Sequence, residues 1–428
     1  MKRIISVILL GLLCLSMFLA FAPNVKAQQS TVDWWSTFRH DLTHTGYSTS
    51  TAPITSQNPQ FLWNYTTGNS IEYSSPAVVN GVVYIGSDDH YLYALNAATG
   101  TYIWSYKTGG AIDSSPAVAN GVVYVGSEDH RVYALNAATG TKDWSYTTGD
   151  KVESSPAVAN NVVYVGSDDN KVYALNAQTG TKEWSYSTGG SVVSSPAVVN
   201  GVVYFGSEDD KVYALNAATG TFDWSYTTGD EVDSSPAVVN GIVYIGSDDY
   251  NVYALNAATG TEMWVFGTGN YVVSCPAVAN GVVYIGSEDN NVYALNATSS
   301  SKIWSYPTGD QVESSPAVAD GVVYVGSDDD NVYALNAMTG TTIWTYGTLN
   351  LVDSSPAVAN GVVYVGSNDY NVYAFGAITV PQPSPPVPSP TIPEFPNQVL
   401  DFSLFAVMAC AAFAVIAAKK KRINGKIL

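Results

Sequence analysis

The chain has 428 residues, with 17 Lys and Arg against 36 Asp and Glu, for a formal net charge of −19. Residues 28–390 are more acidic still, at −25, because most of the basic residues outside them stand at the two chain ends. That balance excludes nucleic acid, whose binding needs Lys and Arg to neutralise phosphates, and argues against adhesion to an anionic lipid surface.

Residues 1–27 read as a secretory signal: Lys2-Arg3, an apolar run from Ile4 to Phe21, then Val25-Lys26-Ala27. Cleavage is expected near Ala27, with an uncleaved anchor as the alternative. Residues 28–60 form a lead-in that contains Trp34-Trp35, His40 and His44, expected to pack against the residues C-terminal to it.

A repeat then takes over. Ser-Ser-Pro-Ala-Val begins at Ser74 and returns at Ser114, Ser154, Ser194, Ser234, Ser274 (there Ser-Cys-Pro), Ser314 and Ser354, always forty residues on. A fixed period of this length signals a repeat architecture. Within one copy, Ala117-Val118-Ala119 is followed by Asn120-Gly121, a hairpin signal because both central positions of a type I′ turn need φ > 0. Val122 to Gly126 and Val132 to Leu135 have strand composition, as does Thr141 to Tyr146. These are four short antiparallel strands, A to D, and they predict one propeller blade. The last copy ends after its third strand at Phe375, and a matching fourth strand stands early, at Phe61 to Gly68. The expected fold is therefore all-β: an eight-bladed propeller over 61–377, its ring closed by an N-terminal strand. Eight Trp residues accompany the blades: Trp63, Trp104, Trp144, Trp184, Trp224, Trp264, Trp304 and Trp344. Each is expected to dock structurally between neighbouring blades, where burial is worth at most about 4–6 kcal/mol.

The run Ala94-Leu95-Asn96-Ala97-Ala98-Thr99-Gly100-Thr101-Tyr102-Ile103-Trp104 resembles the tryptophan-docking motif of the pyrroloquinoline-quinone-type (PQQ-like) propeller repeat, with Asn where that family has Asp. In one copy Thr298-Ser299-Ser300 replaces the Thr-Gly turn. The resemblance implies the fold. For function it leaves two classes, quinoprotein dehydrogenases and non-enzymatic propellers of the BamB-like assembly-factor type. The lead-in around Trp34–Asp41 is similar to the segment before the first blade in exported members.

After Ala377 the composition changes. Residues 378–398 are a Pro-rich linker ending in Pro393-Glu394-Phe395, residues 399–418 an apolar transmembrane segment, and 419–428 a basic tail. The lysines after the span place the tail in the cytoplasm and the propeller outside. The order resembles the PEF-type sorting signal of archaeal surface proteins, which implies tail removal and lipid linkage; a plain single span is the alternative. Either way the protein is expected to be exported and anchored to the outer face of the cell membrane. Asn64 and Asn296 head N-glycosylation sequons.

Topology places the B–C turns and D–A connections on one face. The turns carry Asp88-Asp89, Glu128-Asp129, Asp168-Asp169 and Asp328-Asp329, with equivalents in the other blades; the connections add Asp113, Glu153, Asp233 and others. This acidic face is expected to hold Ca²⁺ weakly, through ligands from neighbouring loops, or to attract a basic partner, though turn chemistry and solubility explain the same residues. Cys275 is the single propeller cysteine, so no disulfide forms within the exterior chain. His40 with His44, and His90 with His130, are weak metal candidates. The expected interior is nearly eight-fold symmetric, with no adjacent cysteines and no channel-facing Arg, which tells against quinone catalysis. The reading is a non-catalytic surface scaffold with no catalytic residue, whose partner is a surface protein or envelope polymer; the alternatives are a quinone- or metal-dependent oxidoreductase and a BamB-like assembly factor.

Overall fold

The computed structural model describes residues 33–51 and 61–376. The expected signal, linker, span and basic tail lie outside the described residues. Among the described residues, no helix is long and apolar enough to cross a membrane.

Each blade is one four-stranded antiparallel sheet, and in blade 7 the short lead-in strand Tyr47–Ser48 adds a fifth, parallel to Ala317–Ala319. In blade 2 the strands are Ala117–Ala119, Val122–Ser127, Arg131–Asn136 and Lys142–Thr147. Asn120 and Gly121 both have positive φ, 51° and 79°, as the type I′ hairpin requires. The eighth sheet joins Ala357–Ala359, Val362–Gly366 and Asn371–Gly376 to the early strand Phe61–Thr66, with Trp63 opposite Ala374. The propeller thus has eight blades and is closed by its N-terminal strand, which removes the exposed edges an open ring would leave.

The blades are held to one another by three sets of hydrogen bonds. On the outer side, Trp104 Nε1 and Tyr84 Oη of one blade both donate to the Ala137 carbonyl of the next, at 3.0 and 3.1 Å. The same pair recurs from Trp224 and Tyr204 to Ala257, and across the closure from Trp63 and Tyr364 to Ala97. Trp144, Trp184, Trp264 and Trp304 donate likewise, to Ala177, Ala217, Ala297 and Ala337. Trp344 is buried against Tyr324 and Phe375. The glycine of the Thr-Gly turn lies flat on the preceding indole: a Cβ on Gly140 would stand 2.6 Å from Trp104, and its φ is +70°. The turn itself is capped by Asn136, whose Oδ1 accepts from the Ala138 and Thr139 amides. Only an acceptor oxygen is needed there, which is why Asn serves where the family motif has Asp.

The second set lies at the bore. Ser74 Oγ donates to the Ser114 carbonyl, Ser114 to Ser154, and so on round to Ser354, which donates to Ser74. The neighbouring serines form a parallel ring, each amide donating to the next blade's hydroxyl: Ser75 to Ser115, and finally Ser355 to Ser75. Cys275 keeps this ring intact because its Sγ accepts from the Ser235 amide. The Ser-Ser pairs are therefore joints of the ring.

The third set lies on the acidic face, where the second acid of each B–C turn accepts from the preceding blade. Asp129 Oδ2 takes the Gly109 amide at 2.7 Å together with its own blade's Tyr133 hydroxyl. Asp89, Asp169 and Asp329 do the same with Gly68, Gly149 and Gly309.

Strand A is the innermost strand, and its free edge is covered by the lead-in. The carbonyls of Trp35, Ser36, Leu42, Thr43, Thr45 and Gly46 accept from Val78, Val118, Val198, Val238, Val278 and Val318, in blades 1, 2, 4, 5, 6 and 7. Thr37 reaches Pro156 in blade 3, and Ser50 accepts from Gly361 in blade 8. The segment is a strap that circles the bore once, touching the blades in chain order.

Two stability changes are expected. Trp224→Ala should cost roughly 3–5 kcal/mol, and Trp224→Phe about 1–2 kcal/mol, since the latter keeps most of the ring and loses the N–H. Equilibrium denaturation of the two variants checks the order. Ser300 holds the docking glycine's place with φ 55°, so Ser300→Gly should stabilise the propeller by about 1 kcal/mol, read as a higher unfolding midpoint.

Candidate functional site

The bore opens on the acidic face as a cup of about 510 Å³. Its inner ring is set by the residue just before each Ser-Ser pair: Tyr73, Asp113, Glu153, Val193, Asp233, Val273, Glu313 and Asp353. The D–A connection turns there to start strand A, so this position looks inward in every blade. The first acids of three B–C turns, Glu208, Asp248 and Glu288, complete the wall. Tyr271 joins them, its ring 5.4 Å from that of Tyr250. Phe38 of the strap contributes to the floor, and serines of the second ring, with Cys275, line it.

This interior departs from the eight-fold symmetry expected of the repeats. Read round the circle, the inner ring has two valines flanking Asp233 and two aspartates flanking Tyr73, so it is unequal from side to side. An arginine is buried in the strap, outside the cup lining: Arg39 is 1% exposed, beside Gly46 and Ala277, and among the described residues its guanidinium nitrogens have no hydrogen-bond partner. Burial pulls its pKa down to about 10, while Cys275 and Asp41 act to raise it. The lead-in signalled an inward arginine only in that Arg39 is its sole Lys or Arg.

The paired turn acids have separate duties. Asp89, Asp129, Asp169 and Asp329 are engaged at the blade joints. Asp88, Glu128, Asp168 and Asp328 face the acids of the D–A connections instead. Asp113, Glu128 and Glu153 bring carboxylate oxygens within 4.8 Å of one another, as do Glu231, Asp233 and Asp248. Each group draws on adjacent loops, and of the eight turn acids nominated from sequence only Glu128 belongs to one. Lys151 pairs with Glu128 at the edge of the first group.

The histidines serve the backbone. His90 and His130 occupy left-handed turn corners, φ 73° and 67°; His130 Nε2 lies 3.7 Å from Asp150, and neither histidine belongs to the two three-carboxylate groups. His40 lies between Asp33, at 2.8 Å, and Asp41, at 3.5 Å. Burial opposes its charge, but the hydrogen bonds it donates to the two carboxylates prevail and raise its pKa to about 9. His44 is buried and pushed down to about 4 by desolvation. Asn64 is exposed on the outer strand of the closing blade. Asn296 is half-buried, and its Oδ1 accepts from Thr298 and Ser299.

Crowding raises the cup carboxyls. Burial first, then neighbouring carboxylates, move Asp113 and Asp233 to about 8 and Asp248 to about 7. Burial likewise lifts Asp328, in hydrogen-bond reach of Asp353, to about 8. A group whose pKa rises on folding binds its proton more tightly in the folded chain. The folded state is then favoured below the unfolded value, near 4, and that advantage is lost as pH climbs through about 8. His40 adds to the same slope above about pH 6.5. The melting temperature in low salt with chelator should therefore fall between about pH 5 and pH 8, and salt should restore part of the loss. Thermal scans across that range check this; a flat or rising profile contradicts it.

Solved structures share this architecture at low identity. BamB from Moraxella catarrhalis matches with a TM-score of 0.66 and 20% identity, over 74% of this chain and all of its own. A europium-containing methanol dehydrogenase matches at 0.70 and 15%, over 81% and 98% of the two chains. The computationally designed Ika8 protein matches at 0.67 and 17%, over 74% and 100%. These likenesses establish the fold alone. No curated protein matches the sequence. The family model described as outer membrane protein assembly factor BamB matches four overlapping windows, residues 55–154, 146–233, 224–315 and 303–379. Together the windows span every blade, and the chain belongs to this BamB family of PQQ-type propeller repeats.

Proposed function

We propose that this protein is a non-catalytic binding scaffold, exported and held at the outer face of the cell membrane, that engages a basic protein partner through its acidic face. The observation that carries the reading is the division of labour among the polar residues. The serines are spent on blade-to-blade hydrogen bonds, while the cup gathers carboxylates from most of the ring. Such a surface concentrates cations and steers basic partners.

The residues do not fit a quinone and its calcium ion as the dehydrogenase class holds them. Among the described residues, the cup lining has no amide side chain to join an acid as a metal ligand, and Cys275 stands without an adjacent cysteine. Arg39 is shut beneath the floor by the strap. Assembly of other membrane proteins is a second reading, favoured by the description of the matching family model.

Zero-length carboxyl-to-amine crosslinking in cells, followed by mass spectrometry of the captured peptides, tests the scaffold reading. Rim carboxylates of the acidic face are expected to join lysines of an envelope protein. Capture of membrane-insertion machinery instead would establish the second reading. Reduction of an electron-accepting dye after the full chain is supplied with PQQ, calcium and an alcohol would overturn both.

A further inference from the structure

We propose that the cup is a binding site for a linear aliphatic polyamine of the spermidine class. The inference concerns the interior of the cup and does not depend on what docks at its rim.

The first support is an unmet hydrogen-bonding demand. Asp353 lines the cup, is 7% exposed, and its Oδ1 has no donor. Asp328 lies within hydrogen-bond reach of it and also has an Oδ1 without a donor. Asp353 Oδ2 already accepts from Asn368, and a proton on Asp328 joins the facing pair; an ammonium group entering the cup can take that proton's place. Asp233 and Asp248 show the same deficit on another side of the cup. Such carboxyls hold their protons because no cation stands among them, and a ligand rich in N–H groups would supply donors to their ionised form.

The second support is shape. An alkylammonium offers three N–H donors. Each of the two acidic groups, around Asp113 and around Asp233, offers three carboxylate oxygens within 4.8 Å of one another. Val193 stands between these groups on the inner ring, and Phe38 lies on the floor, so apolar surface separates the anionic ones. That alternation matches ammonium groups joined by methylenes. Tyr271 adds an aromatic face of the kind that attracts ammonium.

The same arrangement disfavours one bound metal ion. Calcium takes roughly 6–8 oxygens at one point. Here the oxygens are distributed round a cavity of about 510 Å³. A single lysine side chain would satisfy one acidic group and leave the other bare.

Isothermal titration of the purified full chain with spermidine, calcium chloride and butylamine, at matched ionic strength, tests the proposal. Spermidine should bind one to one and at least about tenfold more tightly than either competitor, a difference of about 1.4 kcal/mol. Asp113→Asn and Asp233→Asn should each weaken it by about tenfold or more. Both variants should fold, because removing a charge from a crowded ring relieves repulsion; circular dichroism checks this. Tyr271→Ala, at an exposed position, should weaken binding several-fold. Asp330→Asn, on an exposed turn corner outside the cup, should leave it unchanged. Equal affinity for calcium, equal losses from Asp330→Asn and Asp233→Asn, or no heat with spermidine would each overturn the proposal.

Discussion

Every blade hands hydrogen-bond donors to the next, and the rest of the structure depends on that transfer. An indole and a tyrosine hydroxyl reach forward to an alanine carbonyl, a serine hydroxyl reaches forward to a serine carbonyl, and a glycine amide reaches forward to an aspartate. The serine joints link residues forty apart along the chain, and the closing joint spans 280. The period of the sequence is therefore the angular step of the ring. Solenoid repeats use the same nearest-neighbour logic but need capped ends; here the last blade meets the first, and each joint has a partner on both sides.

Much of this was legible because one blade is a short sentence of strong local signals. Asn120-Gly121 announces its hairpin, and Phe61 to Gly68 can be matched to the strand that the last copy lacks. The separate duties of the two turn acids were harder to see, since both are Asp or Glu in most copies. A signal existed. The second position is Asp in all eight blades, from Asp89 to Asp369, whereas the first varies among Asp, Glu and Asn368. An invariant position serves the joint and a variable one faces the cup. The asymmetric inner ring was hidden for another reason. Tyr73, Asp113 and Glu153 sit in connections that look irregular one by one, and only the closed circle sets residues forty apart side by side. Arg39 was missed because a lead-in without strong periodicity does not reveal which of its side chains turns inward.

The cup works against the stability of the ring that carries it. Like charges gathered in a half-buried bowl raise one another's pKa and favour unfolding. The joints tolerate this because they are neutral hydrogen bonds or, at Asp129 and its equivalents, carboxylates already satisfied by an amide and a tyrosine. Repulsion is confined to the side chains that look into the bowl. Such strain is kept in one place by a rigid frame.

The strap has a consequence for the order of assembly. It precedes all the blades in the chain, yet its carbonyls accept from amides of six of the first seven blades, Thr37 donates to the third, and Ser50 accepts from the eighth. During synthesis its seat is not complete until the final blade has emerged, so residues made before any blade are among the last to settle. The finished strap then bridges the inner edges of all eight blades and sets Phe38 into the lining of the cup.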